Sequence, residues 1–599
     1  VISAGSANAE FRVAGAHAFN RRSPLRWVVS HLARSWPLLL LFVTASTLTS
    51  VLFASVPRLT GVAFDVVLQA EPDVRRLLVI ALTILAVVLL RGVLDLTASF
   101  AVETLGQRLE RNARDELYQS LLGKSQTFHE RQRVGDVMAR ASNDVRQLNP
   151  MMNPGVALIT ESLNGLLVPL VFIATIDPRL LLAPLLFELS FVVALRAYMR
   201  QLNPVSGALR RQFGVLSAGL NQIITGIEVV KATAQERQEQ ARFGSDAARY
   251  RDLFVRQGLV QARYLPLLLL GLALTGAFAH GLQLVSVGDI TTGELVAYMG
   301  LMGVLRFPAF ISIFTFSLVQ LGLAGAERIL ELMRAETELD EGAAGHAARI
   351  EGELVFESVG FSYAAVPGAS NPSAGPVLDG VSFRVAPGQT VAIVGQTGSG
   401  KSTLTKLVNR IYDVTEGRIL LDGVDLRDWQ LASLRQQVGV IEQDVFLFSR
   451  SVAENIAFGL GPEIDREAVI AAARAAQAHD FVMALPEGYD TVIGERGATL
   501  SGGQRQRLAI ARALLTDPRV LILDDATSAI DSATEDAIQR AIDAVQQGRT
   551  TLMITHRLSQ IRRADLVVVI ERGRLIDHGS HHQLLERCAV YQRIFARYD

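Results

Sequence analysis

Six apolar runs occupy the first half of this chain, and they constrain its fold more than any other feature. They cover residues 36–56, 77–100, 156–176, 180–198, 265–287 and 295–318. A helix needs about 20 residues to cross the hydrocarbon of a bilayer, and these runs meet that length. One such run could be the buried core helix of a soluble protein. Six in succession point instead to a membrane α-helical domain of six transmembrane helices.

Arginine and lysine orient the spans. Arg21, Arg22, Arg26 and Arg34 precede the first. The connection after the second carries Arg108, Arg111, Arg114, Lys124, Arg131, Arg133, Arg140 and Arg146, and that after the fourth carries Arg200, Arg210, Arg211, Lys231, Arg237 and Arg242. The turns after the third and fifth, Asp177-Pro178-Arg179 and residues 288–293, are short and poor in cations. Both termini and both long connections are therefore expected on the cytoplasmic side. Arg58, Arg75 and Arg76 run against this bias, accompanied by Asp65, Glu71 and Asp73. Long structureless connections are uncommon. Residues 103–122 and 215–243 are rich in helix formers and alternating charge, so both are predicted as helical extensions of the spans.

Several polar residues fall inside the runs: Arg91, Asp95, Glu161, Asn164, Glu188 and Arg306. Arg91 and Asp95 are four apart on one helix face, where they can pair. Intramembrane charge is costly and must face protein or water. A substrate cavity and simple interhelical pairing both satisfy that requirement, and neither names a substrate.

The second half is of another kind. A polar stretch, 335–349, leads into a β-rich region. There the apolar strand 390–394 runs into Gly395-Gln396-Thr397-Gly398-Ser399-Gly400-Lys401-Ser402-Thr403. Glycines let backbone N–H groups close around phosphate oxygens, and the following helix N-terminus adds positive partial charge. In such a loop Lys401 reaches the β- and γ-phosphates and the Ser402 hydroxyl ligates Mg²⁺. Further on come Leu500-Ser501-Gly502-Gly503-Gln504 and the strand Val520-Leu521-Ile522-Leu523-Asp524-Asp525. Net charge is −1, so no bulk electrostatic case exists for nucleic acid as a partner, and the single Cys588 excludes a disulfide framework and a multi-cysteine zinc site.

These three motifs in this order resemble the ATP-binding cassette (ABC) ATPases, and the hydrophobic half makes the resemblance one to ABC exporters. Phe128-His129-Glu130-Arg131 with Gly135-Asp136 and Asn143-Asp144-Val145 looks like their first intracellular loop. Gly226-Ile227-Glu228-Val229-Val230-Lys231 looks like their second, and Ala324-Gly325-Ala326-Glu327-Arg328-Ile329 like the exit of their sixth helix. The resemblance implies ATP and Mg²⁺ as cofactors and an α/β P-loop ATPase domain fused to the membrane domain. It implies that Tyr363 stacks on adenine, that Gln443 senses Mg²⁺ and the attacking water, and that Asp524 holds Mg²⁺ through water. It makes His556 the switch residue at the γ-phosphate. It also places Ser501, Gly502, Gly503 and Gln504 against the γ-phosphate bound to another cassette. With one phosphate loop and one signature, each composite site then needs two chains.

Asp525 departs from the family pattern, which has Glu there to orient or deprotonate water. The shorter side chain retracts the carboxylate by somewhat over 1 Å, and misplacement of that order can cost about a hundredfold in rate. A degenerate site of this kind is found in heterodimeric exporters, where the intact signature of one chain completes the competent site of the other. The expected organisation is an N-terminal tail at 1–24, a six-helix membrane domain at 25–334, a linker at 335–349 and a nucleotide-binding domain at 350–599. The expected function is ATP-driven export of a small amphipathic molecule, lipid or peptide. The partner is a second half-transporter chain with an intact catalytic Glu, surrounded by lipid of a bacterial inner membrane. A homodimeric lipid or drug exporter, a regulatory ATP-binding subunit and an importer using the exporter fold are the alternatives.

Overall fold

A computed structural model describes residues 8–13, 17, 19–263, 265–363, 375–461, 465–494, 497, 499–524 and 532–595. The chain divides into two compact units, each assembled from separated stretches. One comprises Phe19–Leu117 and Met138–Leu332, the other Val1–Ala18, Tyr118–Val137 and Met333–Asp599.

The first unit is helical. Among the described residues five helices are long and apolar enough to cross a membrane: Trp36–Val67, Val74–Leu122, Val134–Ala174, Pro178–Thr225 and Leu268–Val287. The sixth apolar run is divided between helices Thr292–Val304 and Arg306–Arg334. Pro308 has no N–H to return to the Val304 carbonyl, which removes a bond that would carry one helix through Leu305. The predicted extension at 103–122 is the unbroken end of helix Val74–Leu122. That at 215–243 is not one helix. Helix Leu182–Thr225 stops at Gly226, a short helix Ile227–Ala232 follows, and Glu236–Ala262 begins afresh. Ala234 adopts φ 51°, and the Gln235 N–H bonds the Val230 carbonyl at 3.1 Å, which closes the short helix with a left-handed cap.

Small residues let two helices touch. A Cβ on Gly293 would lie 2.1 Å from the Gly61 carbonyl oxygen, and Gly300 meets Pro57 along the same seam. The Asp65 carboxylate then accepts from the Gly293 N–H and the Thr291 hydroxyl, each at 2.7 Å. The two short turns are also tied, because Arg179 pairs with both Asp177 and Asp289 at 2.7 Å. Arg91 does not pair with Asp95. Its guanidinium lies over the Phe53 ring, 4.2 Å from the centroid, and no ion pair joins the two among the described residues. The planar guanidinium stacks on an aromatic face in place of a side-by-side ion pair.

Ahead of the first span, Ser23 caps helix Pro24–Arg34, whose first residue is proline. The helix is pinned by Glu116, which is buried and accepts from Arg21 Nε at 2.7 Å and Trp27 Nε1 at 2.9 Å, with His31 Nε2 at 3.1 Å. Burial pushes this carboxyl upward, but His31, the Arg21 charge and Trp27 outweigh it and hold Glu116 below the usual carboxylate range.

The second unit holds two sheets. Its strands are β1 (Leu354–Phe361), β2 (Leu378–Val385), β3 (Thr390–Val394), β4 (Glu416–Leu421), β5 (Val424–Asp425), β6 (Val438–Ile441), β7 (Val520–Asp524), β8 (Thr550–Ile554), β9 (Leu566–Glu571) and β10 (Arg574–Gly579). The antiparallel sheet runs β2-β1-β4-β5, and the larger one runs β10-β9-β3-β8-β7-β6, parallel except for β10. The inner strands are mostly apolar because both faces are covered, with polar residues at their ends such as Thr550, Thr551 and Asp524. Residues 335–349 form neither helix nor extended strand beyond an isolated bridge from His346 to Trp429. They bind the Lys124–Arg131 region instead. Lys124 Nζ donates to the Ala335 carbonyl and the Ser125 N–H to Thr337 Oγ1 at 2.8 Å.

Candidate nucleotide site

Four parallel strands deliver the candidate residues to one sheet edge. β3 ends at Val394 and opens into the Gly395–Gly400 loop. Ile393 pairs with Ile554 of β8, Ile554 with Asp524 of β7, and Leu523 with Ile441 of β6. His556 and Gln443 each lie two residues past their strands. The loop, His556, Asp524 and Gln443 therefore share the carboxyl ends of adjacent parallel strands, where such sheets bind ligands. Gln396, Ser402, Gln443 and His556 are exposed, and Asp524 is half-buried. Asp525 lies outside the described residues.

The loop geometry depends on glycine. Gly398 and Gly400 have φ of 80° and 98°, and a Cβ at Gly400 would meet the Val377 carbonyl oxygen at 2.9 Å. Lys401 folds back along the loop, with Nζ donating to the carbonyls of Gly395 at 2.8 Å and Gln396 at 2.9 Å. Thr555 secures the β8 exit, donating to Gln560 at 2.5 Å and accepting from the Arg557 N–H at 3.1 Å.

The loop helix, Lys401–Val408, closes with Arg410 in the left-handed region at φ 49°. The Arg410 N–H bonds the Leu407 carbonyl at 3.1 Å, and the Ile411 N–H bonds that of Lys406 at 3.0 Å. This is a Schellman cap with arginine where glycine is usual, a placement that costs on the order of 1 kcal/mol. Two contacts offset it. Arg410 pairs with Asp413 at 2.8 Å, and Arg435 donates to the Arg410 carbonyl at 2.7 Å.

Beside the loop helix, the Tyr363 hydroxyl lies 3.0 Å from Thr403 Oγ1 while its ring is partly exposed. Phe361 and Tyr412 meet that ring edge-on, with centroids at 4.9 Å and 5.4 Å. Tyr412 is buried, and its hydroxyl donates to Glu130 of helix Gln126–Arg131. Burial and the Glu130 carboxylate push this phenol well above its ordinary value. A cavity of about 610 Å³ opens here, lined by Thr127, Glu130, Glu338, Tyr363, Tyr412 and Asp413.

Ser501 begins helix Gly502–Thr516 with a reciprocal cap: the Gln504 N–H donates to Ser501 Oγ at 3.3 Å, and the Ser501 N–H to Gln504 Oε1 at 2.9 Å. Gln504 is therefore committed to shaping the helix start, while Ser501 and Gly502 are exposed.

Residues 39–309 match the ABC transporter transmembrane region, and residues 378–528 match the ABC transporter family. The chain is 36% identical over 549 residues to an ATP-dependent lipid A-core flippase of Pseudomonas fluorescens, covering 91% of this chain and 88% of that one. This chain belongs to the ABC exporters. It is also 33% identical over 485 residues to the putative multidrug export ATP-binding/permease protein YgaD of Bacillus subtilis, covering 80% and 82%. A bacterial Atm1-family ABC exporter with ATP bound shares its fold with a TM-score of 0.78 at 30% identity, covering 94% and 98%.

This ABC exporter couples ATP hydrolysis to transport, with Mg²⁺ as the partner of ATP. The loop fits that cofactor pair: the buried Ser399 hydroxyl has no partner among the described residues, and the cradle at Gly400 has no room for a side chain. Tyr412 was missed by sequence reasoning. It lies in the Arg410-Ile411-Tyr412-Asp413 segment just past the loop helix, but nothing in the sequence says which aromatic neighbours Tyr363. Arg512 was missed as well; it donates to the Asn455 carbonyl at 2.8 Å, and Asn455 fixes the Phe448 N–H at 2.9 Å in the segment following Gln443.

Proposed function

We propose that this exporter is the degenerate-site half of a heterodimer that moves a lipid or another amphipathic molecule out across a bacterial inner membrane, with both termini cytoplasmic. ABC exporters work as dimers. The reading rests on one observation: an acid too short by a methylene, Asp525, beside a site with Lys401, Ser402, Gln443, Asp524 and His556 all present. The loop N–H groups and Lys401 hold the β- and γ-phosphates, and Tyr363 stacks on adenine. Ser402, Gln443 and Asp524 are the residues that would hold Mg²⁺, which supplies charge neutralisation on the phosphates. His556 contacts the γ-phosphate, and Asp525 sets the attacking water at longer reach. Ser501 and Gly502, exposed at the helix start, and Gly503 buried behind them complete the partner's site. The lipid A-core flippases among its relatives favour a lipid as cargo and also support a second reading, a homodimeric lipid exporter with slow ATPase.

Purification alone and with a partner separates the readings. The heterodimer predicts weak ATPase alone and a stable one-to-one complex with much higher activity. Vigorous ATPase from a strictly homodimeric preparation refutes it.

A further inference from the structure

The N-terminal segment 8–12 lies against three parts of its own unit. The Glu10 N–H donates to the Gly123 carbonyl at 2.9 Å, and the Glu341 N–H to the Ala9 carbonyl at 2.7 Å. Arg12 pairs with Asp340 at 3.2 Å. The fit is close enough to require glycine opposite: a Cβ on Gly123 would lie 2.7 Å from the Phe11 carbonyl oxygen. Glu10 then meets Arg435 at 2.7 Å, with its side chain only 11% exposed. The same guanidinium donates to the carbonyls of Arg410 at 2.7 Å and Asn409 at 3.4 Å. Those carbonyls end the loop helix, and a cation is favoured there because it faces the negative end of the helix dipole.

We infer that Glu10 is a positioning residue for ATP: the N-terminal strap fixes Arg435, and Arg435 fixes the strained end of the helix whose other end cradles the phosphates. The helix is only 8 residues long, so a shift at Arg410 reaches Ser402 with little lost to bending. Glu10 never touches nucleotide. It neutralises a half-buried guanidinium and leaves it one orientation, in which two of its N–H groups face the helix carbonyls. Without the strap Arg435 gains rotamers, and the loop helix loses its fixed seat. The affinity for ATP then falls, while Gln443, Asp524 and His556, at the carboxyl ends of β6, β7 and β8, stay where they are.

The test uses the full chain in its active dimer, measuring ATPase against MgATP concentration. Glu10→Gln should raise KM for ATP roughly threefold to tenfold, less than a whole charge-assisted hydrogen bond because Glu10 acts through Arg435 and not on the nucleotide, and leave kcat within about twofold. Gly123→Ala dislodges the strap from its other side and should give the same rise, with no further rise in the double variant. Exchanging the charges, Glu10→Arg with Arg435→Glu, should not restore KM, because carboxylate cannot donate to the helix carbonyls; Glu10→Asp should restore part of it. Unchanged KM in Glu10→Gln overturns the inference, as does a fall in kcat alone or additive effects of Glu10→Gln and Gly123→Ala. Lys401→Ala is the control: if it leaves ATP binding intact, the assignment of the nucleotide site fails, and the strap with it.

Discussion

The Tyr412 hydroxyl donates to the Glu130 carboxylate, 282 residues away in sequence. Tyr412 also packs edge-on against Tyr363, so one buried phenol connects the predicted adenine platform to the helix that bears Glu130. Tyr412→Phe keeps the packing and removes the donor. It should leave KM for ATP within about twofold, cost no more than about 1 kcal/mol in stability, and lower transport-stimulated ATPase severalfold. Because its pKa is raised, the phenol stays protonated, and the stimulation should be flat from about pH 7 to pH 9. A Tyr412→Phe exporter with full stimulation would remove the coupling role.

Tyr363 separates stacking from hydrogen bonding. Tyr363→Phe loses only the contact to Thr403 and should change KM for ATP by about threefold or less. Tyr363→Ala loses the platform, and base–aromatic stacking of about 1–3 kcal/mol converts to a KM rise of roughly 5-fold to 150-fold. Equal effects of the two variants in steady-state ATPase would show that the hydroxyl, not the ring, matters.

Asp525→Glu should restore reach to the attacking water and raise ATPase at this site, given an adequate partner signature. Asp525→Asn should change the turnover of the heterodimer little, while removing the partner's catalytic Glu should abolish most of it. Trapped nucleotide should persist at the Asp525 site over many turnovers. If label there exchanges as fast as at the other site, or Asp525→Asn alone stops transport with binding intact, the degenerate-site reading fails.

Ser501→Arg places a bulky cation at an exposed helix start and removes the reciprocal cap with Gln504. It should eliminate most ATPase of the complex while leaving ATP binding to this chain's own loop intact. Persistence of activity would show that this signature does not complete the competent site.

Glu116 holds helix Pro24–Arg34 through Arg21, Trp27 and His31. Glu116→Gln should cost about 2 kcal/mol and expose that helix to proteolysis. Its folded pKa is lowered, so its contribution is complete above the unfolded value of about 4.3 and fades as pH falls through the folded value. Melting temperatures of wild type and Glu116→Gln should therefore converge toward acid pH; a difference that grows on acidification would reverse the sign.

The apolar runs and the loop glycines were legible because each acts locally. A run of that length has few alternatives to spanning lipid, and Gly398 and Gly400 are required by their own positive φ. Local reading failed where a competitor lay far off in sequence. Arg91 and Asp95 share a helix face, but Phe53, on another helix, supplies the surface that Arg91 takes. Residues 215–243 failed for a local reason instead: their composition is helical, yet Gly226 and the left-handed Ala234 end helices within them.

By itself, the sequence determined the class of both halves and singled out the candidate phosphate loop, because hydrophobic length and backbone permissiveness are properties of contiguous residues. Only the tertiary structure decided that Asp524, His556 and Gln443 share one sheet edge, since parallel register aligns strands distant in sequence. It alone brought Glu10 to Arg435 and Glu130 to Tyr412, pairs that no period or motif connects. Their partners are set by which surfaces the packed core leaves adjacent, and that is fixed only when the whole chain has folded.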